Sequence, residues 1–159
     1  MTNKNEIIFT DLDFDGCCSY VIHTWFTQTK PKVVTLKVSS IREKILAWLN
    51  YNKFEDYKRV YFFDLDTTEI KDLIDKKNVI IFDHHKSHKD DYSNAKTFIN
   101  TEQTSCSKHI YQILSHIYPD VNLTTEQKKL ITFADDYDCY ELKFPESNKI
   151  NFLLWYSNG

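Results

Sequence analysis

The chain has 159 residues, of which 42% are hydrophobic and 15% aromatic, and its formal net charge is -3. This length is enough to bury one sizeable core, so we expect residues 1–159 to form a single domain. The small negative charge argues against a protein that holds long nucleic acid through a broad basic surface. Glycine occurs only at positions 16 and 159, which excludes a glycine-rich phosphate-binding loop.

No apolar run is long enough to span a bilayer, and the first residues lack the apolar core of a signal peptide. These features predict a cytoplasmic protein with no membrane partner. The four cysteines, at positions 17, 18, 106 and 139, have neither CxxC spacing nor the density of a disulfide framework. We expect them to be reduced thiols.

Short apolar runs alternate with stretches of helical periodicity in the first half of the chain. Residues 7–9, 33–38, 60–63 and 79–82 are rich in β-branched and aromatic side chains and predict buried parallel strands. Residues 18–27 and 41–50 predict helices, and Asp66 with Glu69 resembles the capping signal of another. The order predicts an α/β fold with a doubly wound, mainly parallel sheet flanked by helices.

Two more helices are predicted over residues 104–118 and 124–134. Pro119 ends the first, and Thr124 with Gln127 predicts a capping box at the start of the second. Residues 137–144 indicate a short irregular or extended segment. Residues 147–155 predict a final helix.

Acidic residues stand directly after the first predicted strand. Asp11, Asp13 and Asp15 alternate there, and Gly16 allows a tight turn into the following helix. Like charges this close repel one another unless a cation lies among them, and an all-oxygen ligand set suits Mg²⁺ or Mn²⁺. Helix capping is the competing interpretation, and it accounts for one carboxylate readily but for three poorly.

A second acidic motif follows the third strand. Asp66 has a plain interpretation as a helix cap, whereas Asp64 comes directly after four apolar residues. An unpaired charge at that position, close to the core, is costly. Asp64 is therefore the stronger candidate for a metal ligand.

A third motif, Asp83-His84-His85, follows the fourth strand. Adjacent side chains of an extended segment point apart, so one histidine can bind a metal while the other faces the substrate. Asp83 can orient one of the rings through its second nitrogen.

The fourth motif holds Asp135, Asp136 and Asp138 near the expected C-terminus of a helix. The helix dipole disfavours carboxylates at that end, so an acidic cluster there indicates a compensating cation. This motif is weak by itself, and it gains weight from the three that precede it.

In order, the motifs DLDFDG, FFD, DHH and ADDYD resemble motifs I to IV of the DHH phosphoesterase superfamily. The resemblance covers residues 7–138, and residues 104–111 also resemble the family's segment between motifs III and IV. RecJ-like nucleases, oligoribonucleases, cyclic-dinucleotide phosphodiesterases and family II pyrophosphatases belong to that group. The resemblance therefore implies a metal-dependent phosphoesterase.

The resemblance also implies two divalent cations, Mn²⁺ in preference to Mg²⁺. Their ligands would be Asp11, Asp13, Asp15, Asp64, Asp136 and His84. Asp11 and Asp13 would hold one ion, and Asp64 would bridge it to a second ion held by the remaining ligands. Five carboxylates and two divalent ions leave such a site nearly neutral, and the ion pair can activate water and clamp the oxygens of an in-line displacement.

Within motif IV, the register of the resemblance favours Asp136, with Asp135 as the alternative and Asp138 in a supporting position. The resemblance gives His85 the catalytic role, facing the scissile phosphate to stabilise or protonate the leaving group.

The substrate is less constrained. A compact acidic chain without a long basic track indicates a phosphodiester in a short oligonucleotide or in a linear or cyclic dinucleotide. Lys86, His88, Lys89 and Lys108 are the nearest candidate phosphate contacts. Many family members carry a DHHA1-type second domain that binds substrate and that this sequence lacks, so a homodimer, a second domain or a partner chain is expected to supply that function.

Two other functions explain part of the sequence. Asp13 and Asp64 each begin a segment resembling the nucleophile motif of HAD-like phosphatases, which would make one of them a covalent nucleophile and leave the DHH motif unexplained. A catalytically idle DHH fold could instead act as a binding subunit. The intact ligand set argues against that, because an idle site has no evident reason to keep so costly a cluster of carboxylates.

Overall fold

The computed structural model of the chain describes residues 4–157. Within them, five strands form one sheet: β1 (Lys4–Asp11), β2 (Lys32–Leu36), β3 (Tyr57–Phe63), β4 (Val79–Asp83) and β5 (Lys96–Ile99). All neighbouring strands are parallel, in the order β2-β1-β3-β4-β5. The predicted α/β fold with a parallel sheet is confirmed.

Helices connect the strands and continue after the sheet: α1 (Phe14–Thr27), α2 (Ile41–Leu49), α3 (Lys71–Ile74), α4 (Cys106–Ile117), α5 (Thr125–Asp138) and α6 (Pro145–Ser157). Thr124 and Gln127 form the predicted capping box at the start of α5. Among the residues described, no helix combines the length and the apolar character needed to cross a bilayer.

The helices cover both faces of the sheet. Ile7 and Phe9 of β1 pack in one core cluster with residues of α2 and α3, whereas Ile8 packs in a second cluster with α1, α4 and α5. Successive side chains of a strand point to opposite faces, so a strand covered on both sides carries apolar residues throughout. This double burial explains the continuous apolar runs in the sequence.

The structure differs from the sequence prediction at several boundaries. The predicted second strand ends at Leu36, and residues 38–40 form a 3-10 turn. Strand β5 was not predicted, because none of its four residues is fully buried and they follow a long irregular segment. Asp66 accepts a hydrogen bond from Thr68 N at 3.0 Å, ahead of a 3-10 turn and a helix of four residues. Helix α5 runs to Asp138, one turn beyond the predicted end.

The connections place a crevice at one edge of the sheet. From β1 the chain passes to β2 on one side, and it then returns to β3 on the other side of β1. The loops that follow β1 and β3 therefore leave in opposite directions, and such a switch point is where open α/β sheets bind ligands. Asp11 ends β1, Asp64 follows β3 and Asp83 ends β4, so the acidic motifs lie at this edge.

Gly16 allows α1 to start tightly against the end of β1. A Cβ atom at this position would lie 2.5 Å from the carbonyl oxygen of Asp11 and 2.9 Å from Thr10 Oγ1. The Thr10 hydroxyl also donates a hydrogen bond to Gly16 O at 2.8 Å. The closer of the two contacts is with a backbone oxygen, so it cannot be relieved by a side-chain rotation.

Replacing Gly16 with alanine should lower the free energy of unfolding by about 1–3 kcal/mol, because the added methyl group forces the backbone apart. Urea denaturation measures the change. Cys17→Ala, at the next and half-buried position of the same helix, is the control and should change the unfolding free energy by less than about 1 kcal/mol. Equal values for the two variants would contradict the close approach.

Candidate metal centre

The three aspartates after β1 have different environments. Asp13 caps α1, and its carboxylate accepts a hydrogen bond from Gly16 N at 2.8 Å. Asp15, in the first turn of that helix, is 2% exposed. Asp11 is half-buried and accepts a hydrogen bond from Leu12 N at 2.6 Å. Helix capping therefore explains Asp13 and leaves the other two to be explained.

Asp15 reaches from α1 to the start of α4. Its two carboxylate oxygens accept hydrogen bonds from Cys106 N at 2.7 Å and Ser107 N at 2.9 Å. These amides belong to the first turn of α4, where backbone N–H groups have no partner inside the helix and the dipole favours a negative charge. The buried carboxylate and the helix terminus thus satisfy each other.

Asp64 is buried directly after β3. Its backbone has φ = 55°, in the left-handed region. Non-glycine residues adopt this region rarely, and those that do are concentrated at functional sites. Its amide donates to Phe82 O of β4 at 3.0 Å, which continues the pairing of the two strands. The side-chain oxygen Oδ1 is buried and makes no hydrogen bond.

The His84 ring lies among three carboxylates. Its Nε2 atom is 3.2 Å from Asp64 Oδ1, 3.5 Å from Asp138 Oδ2 and 3.9 Å from Asp15 Oδ2. Like Asp64 Oδ1, Asp138 Oδ2 is buried without a hydrogen-bond partner. Two buried acceptor atoms without donors, side by side at one imidazole, are the arrangement that a bound cation would complete.

Two overlapping triads of ligand atoms can therefore hold metal. One consists of Asp64, His84 and His85, and the other of Asp15, His84 and Asp138, with the ligand atoms of each within 4.8 Å of one another. Asp11 and Asp13 belong to neither triad among the described residues. The charge of Asp13 nevertheless raises the pKa of Asp64, so it lies close enough to act on the cluster.

The structure does not bring Asp136 to this cluster, which corrects the assignment favoured by register. Its buried carboxylate accepts hydrogen bonds from Ser147 Oγ at 2.7 Å, Lys143 N at 2.8 Å and Phe144 N at 3.2 Å. It thereby anchors the start of α6. These bonds outweigh its burial and lower the pKa of Asp136.

Asp138, assigned only a supporting role from sequence, has the motif IV carboxylate closest to His84. The extra turn of α5 carries it there, two positions beyond Asp136 and on another side of the helix. Asp135, the other alternative, accepts hydrogen bonds from Lys108 Nζ at 2.6 Å and Ser105 N at 3.0 Å. Lys108, which the sequence predicts as a phosphate contact, therefore forms an ion pair with Asp135.

Asp83 orients His85 as the sequence predicts. The buried carboxylate accepts a hydrogen bond from His85 Nδ1 at 2.7 Å and a second from His88 Nδ1 at 2.5 Å. Burial raises the pKa of Asp83, but the bonds from the two histidines more than offset it and hold the carboxyl ionised. In return, the bond to Asp83 raises the pKa of His85 to about 9.

A cavity of about 440 Å³ opens beside this cluster. His84, His85 and Asp138 line it, together with Lys86, Thr104 and Cys139. Thr104 is 8% exposed and its buried hydroxyl oxygen has no hydrogen-bond partner among the described residues. Thr104 was not predicted as a site residue, and its place in the small polar run before α4 is the only sequence signal that could have identified it.

Without a cation, the carboxyl groups of the cluster are strained electrostatically. Burial, followed by the charges of Asp15 and Asp13, raises the pKa of Asp64 well above its usual range. Burial and the charge of Asp15 raise the pKa of Asp138 to about 8. Burial also raises the pKa of Asp15, although its hydrogen bonds oppose the shift. The residues present thus fit a cationic group.

No protein-family model and no curated protein matches the sequence. Solved structures do resemble it, beginning with an uncharacterized protein from Helicobacter pylori G27 at a TM-score of 0.66 and 18% identity, over 94% of this chain and 48% of that one. The pGpG-specific phosphodiesterase PggH of Vibrio cholerae matches at a TM-score of 0.59 and 15% identity, over 95% and 44% of the two chains. Exonuclease RecJ bound to manganese matches at 0.57 and 15%, over 86% and 39%.

The chain has a DHH-like fold. The chain spans less than half the length of each of these three structures. At such identities the likeness establishes the DHH-like fold and leaves substrate and activity to be argued from the site. Manganese is bound in the RecJ structure, and two ligand triads among the residues that the structure describes can hold metal.

Alanine substitutions at Asp136 and Asp138 should have opposite effects. Asp136→Ala removes three hydrogen bonds that anchor α6 and should lower the unfolding free energy by about 1–3 kcal/mol while leaving Mn²⁺ affinity unchanged. Asp138→Ala should weaken Mn²⁺ binding at least about tenfold and stabilise the metal-free protein, because it removes a buried carboxyl oxygen that has no hydrogen-bond partner. Urea denaturation and calorimetric Mn²⁺ titration measure both effects, and weaker Mn²⁺ binding in the Asp136 variant alone would reverse the assignment.

The metal-free protein should lose stability as pH rises from about 6 to about 8, within the interval between the unfolded and folded pKa values of Asp138, and the loss should level off above that interval. The pKa of Asp138 is raised from 3.8 to about 8 in the folded chain. The folded state therefore binds this proton more tightly than the unfolded state, and the advantage disappears as the pH passes the folded value. Urea denaturation with and without Mn²⁺ tests this, and a metal-free stability that is constant or rises over the window would contradict it.

Proposed function

We propose that this chain is a two-metal phosphodiesterase that hydrolyses short oligonucleotides or linear or cyclic dinucleotides. The observation that carries the proposal is the pair of buried, unpartnered oxygens, Asp64 Oδ1 and Asp138 Oδ2, beside His84 Nε2. They lie at the switch point of a parallel sheet and next to a cavity. Their chemistry suits a cation, and a DHH-like fold makes phosphorus chemistry the leading interpretation.

The ions of the proposed site are Mn²⁺ or Mg²⁺. The ligands are Asp11, Asp13, Asp15, Asp64, His84 and Asp138. Asp138 replaces Asp136 in this set, so the balance of five carboxylates against two divalent ions is unchanged. When bound, the ions lower the pKa of the attacking water and stabilise negative charge at the phosphate. Asp15 and Asp64 are held by their elements before any ion arrives, which preorganises the site.

His85 is the proposed general acid. Its Nδ1 atom is committed to Asp83, which leaves Nε2 for the cavity that the ring lines. With its pKa raised to about 9, the ring carries a proton at neutral pH. Donation from Nε2 to the leaving oxygen of a phosphodiester then requires no rearrangement of the ring.

Short substrates are favoured by the dimensions and charge of the cavity. Its volume of about 440 Å³ accommodates a nucleotide-sized group, and Lys86 and Thr104 at its wall offer a cation and a hydroxyl to a phosphate. The net charge of -3 gives no support to a long nucleic-acid track. Among the structural neighbours, one is a pGpG-specific phosphodiesterase and another an exonuclease.

A second unit is part of the proposal. Helix α6 exposes Phe152, Leu153 and Tyr156 by 57%, 64% and 73%, beside a concavity of about 850 Å³. A second copy of the chain, or another domain or chain, that covers this apolar surface would extend the substrate contacts beyond the metal centre. Light scattering at increasing concentration measures self-association, and a monomer throughout would leave a different chain as the partner.

Two Mn²⁺ ions should bind in calorimetric titration, and Asp64→Ala should weaken both sites and abolish turnover, because Asp64 is shared between them. Ser93→Ala, an exposed loop position outside the cluster, is the control. Failure of the unaltered protein to bind Mn²⁺ would overturn the metal assignment. Trapping of an aspartyl-phosphate mimic by beryllium fluoride would favour the HAD-like alternative instead.

His85→Ala should lower kcat by about 10²–10⁴-fold and leave Mn²⁺ binding largely intact, because the histidine acts on a proton. His84→Ala should instead weaken Mn²⁺ binding. His116, exposed in the last turn of α4, provides a control variant, His116→Ala, with unchanged turnover. Loss of metal in the His85 variant together with its retention in the His84 variant would exchange the two roles.

The substrate assignment is tested with Mn²⁺ against linear dinucleotides, cyclic dinucleotides, short single strands, pyrophosphate and a chromogenic phosphodiester. Cleavage of the dinucleotides or of strands a few nucleotides long is expected. Activity on pyrophosphate alone would overturn the phosphodiesterase proposal while retaining a metal-dependent phosphoesterase.

A further inference from the structure

His88 lies in the loop after β4 and is buried. The sequence places it in a basic loop between Lys86 and Lys89, yet its side chain is 0% exposed. Its Nδ1 atom is 2.5 Å from Asp83 Oδ2, and its backbone amide donates to His85 O at 3.1 Å. A wholly buried histidine in a loop of exposed lysines requires a structural reason.

Asp83 makes equivalent contacts with two rings. One carboxylate oxygen accepts from His85 Nδ1 and the other from His88 Nδ1. An ionised carboxylate only accepts hydrogen bonds, so both Nδ1 atoms carry the proton in these contacts. With one oxygen held by each ring, rotation of the carboxylate about its own axis breaks both bonds, and the orientation of His85 depends on the donor at His88.

The other side of the His88 ring is fixed as well. Its Nε2 atom lies 3.3 Å from Thr67 Oγ1 and 3.4 Å from the Tyr92 hydroxyl, and these two hydroxyls are 2.7 Å apart. The contact with Thr67 is the middle of a clasp in which residues 87–89 pair in order with residues 66–68. Ser87 bonds to Asp66 at 2.6 Å, His88 to Thr67 at 3.3 Å and Lys89 N to Thr68 at 3.1 Å.

The clasp joins the loops that follow the second and third acidic motifs. One of these loops begins two residues after Asp64, and the other begins two residues after His85. Holding both loops in register limits the independent movement of the residues that precede them. His88 is the only member of the clasp whose side chain also reaches Asp83.

We propose that His88 is a positioning residue that acts through Asp83 to fix the ring of His85 over the cavity. The inference rests on the proposed role of His85 and extends it to a residue whose side chain touches neither the cavity nor the ligand triads. The effect on the reaction is in kcat, since the side chain of His88 contacts only Asp83, Thr67 and Tyr92, none of which is proposed to bind substrate.

Two substitutions separate the donor from the volume of the ring. Asparagine and leucine branch at the same carbon, and the asparagine amide nitrogen is as many bonds from the backbone as His88 Nδ1. Both variants lose the contacts of Nε2, so the difference between them isolates the donor to Asp83. His88→Asn should keep kcat within about threefold of the unaltered protein, and His88→Leu should lower it by about 10–100-fold with KM and Mn²⁺ affinity unchanged.

A second readout needs no turnover. In the ¹⁵N-labelled Mg²⁺-loaded protein, His85 and His88 should each give a downfield Nδ1–H proton signal, as expected for donors to a buried carboxylate. His88→Asn should preserve the His85 signal, and His88→Leu should shift or broaden it. Thermal unfolding of both variants verifies folding.

Equal kcat values and equal His85 signals in the two variants would overturn the inference. Absence of a downfield His88 signal from the unaltered protein would overturn it too, whether or not the variants fold. If the unaltered protein hydrolyses no phosphodiester while the signals differ as expected, the proposed function fails and the contact from His88 through Asp83 to His85 stands.

Discussion

Mutual repulsion among buried carboxylates is the constraint on which the rest of the structure depends. Asp15, Asp64 and Asp138 surround one imidazole at distances of 3.2–3.9 Å, and each is shielded from water to a large degree. Such a group is stable only if hydrogen bonds, a cation or protons offset the charge. The amides at the start of α4 supply hydrogen bonds to Asp15. Asp64 Oδ1 and Asp138 Oδ2 have no such donors and are available to a cation.

The aspartates of this edge fall into two kinds. Asp13 and Asp136 complete helix ends, where Asp13 Oδ1 and both oxygens of Asp136 accept hydrogen bonds from backbone amides or a hydroxyl. Asp64 and Asp138 present oxygens without any donor. An acidic residue near a strand end is therefore no sign of chemistry by itself, and the distinction lies in whether the protein already satisfies the carboxylate.

The architecture could be predicted from the sequence because strands buried on both faces are continuous apolar runs. The position of the acidic motifs could be predicted because parallel strands bring their carboxyl ends to one edge of the sheet. The same parallel order predicts that Asp11, Asp15, Asp64 and His84 lie at that edge. The sequence could not show which aspartate of the fourth motif lies beside His84. That choice depends on where α5 ends, and the extra turn is stabilised by tertiary contacts that leave little local trace in the sequence.

The burial of His88 was missed for a related reason. Three consecutive residues pair with three others about twenty positions earlier, two through their side chains and Lys89 through its backbone amide, and neither segment has helical or strand periodicity. Nothing in the local pattern separates His88 from the lysines beside it. Strand β5 was not predicted because it has only four residues, one exposed and three partly buried, which give too weak an alternation to identify.

The bonds from Asp15 to α4 cross 91 and 92 positions of sequence. Contacts of such long range form late in folding, since closing the intervening loop costs entropy before any bond compensates for it. A partly folded chain would thus carry the first three acidic motifs without the two amides that stabilise the Asp15 carboxylate by hydrogen bonds. The completed fold, and not an early intermediate, would then bind the metal. Binding would stabilise the native state, so removal of the ion would shorten the lifetime of that state.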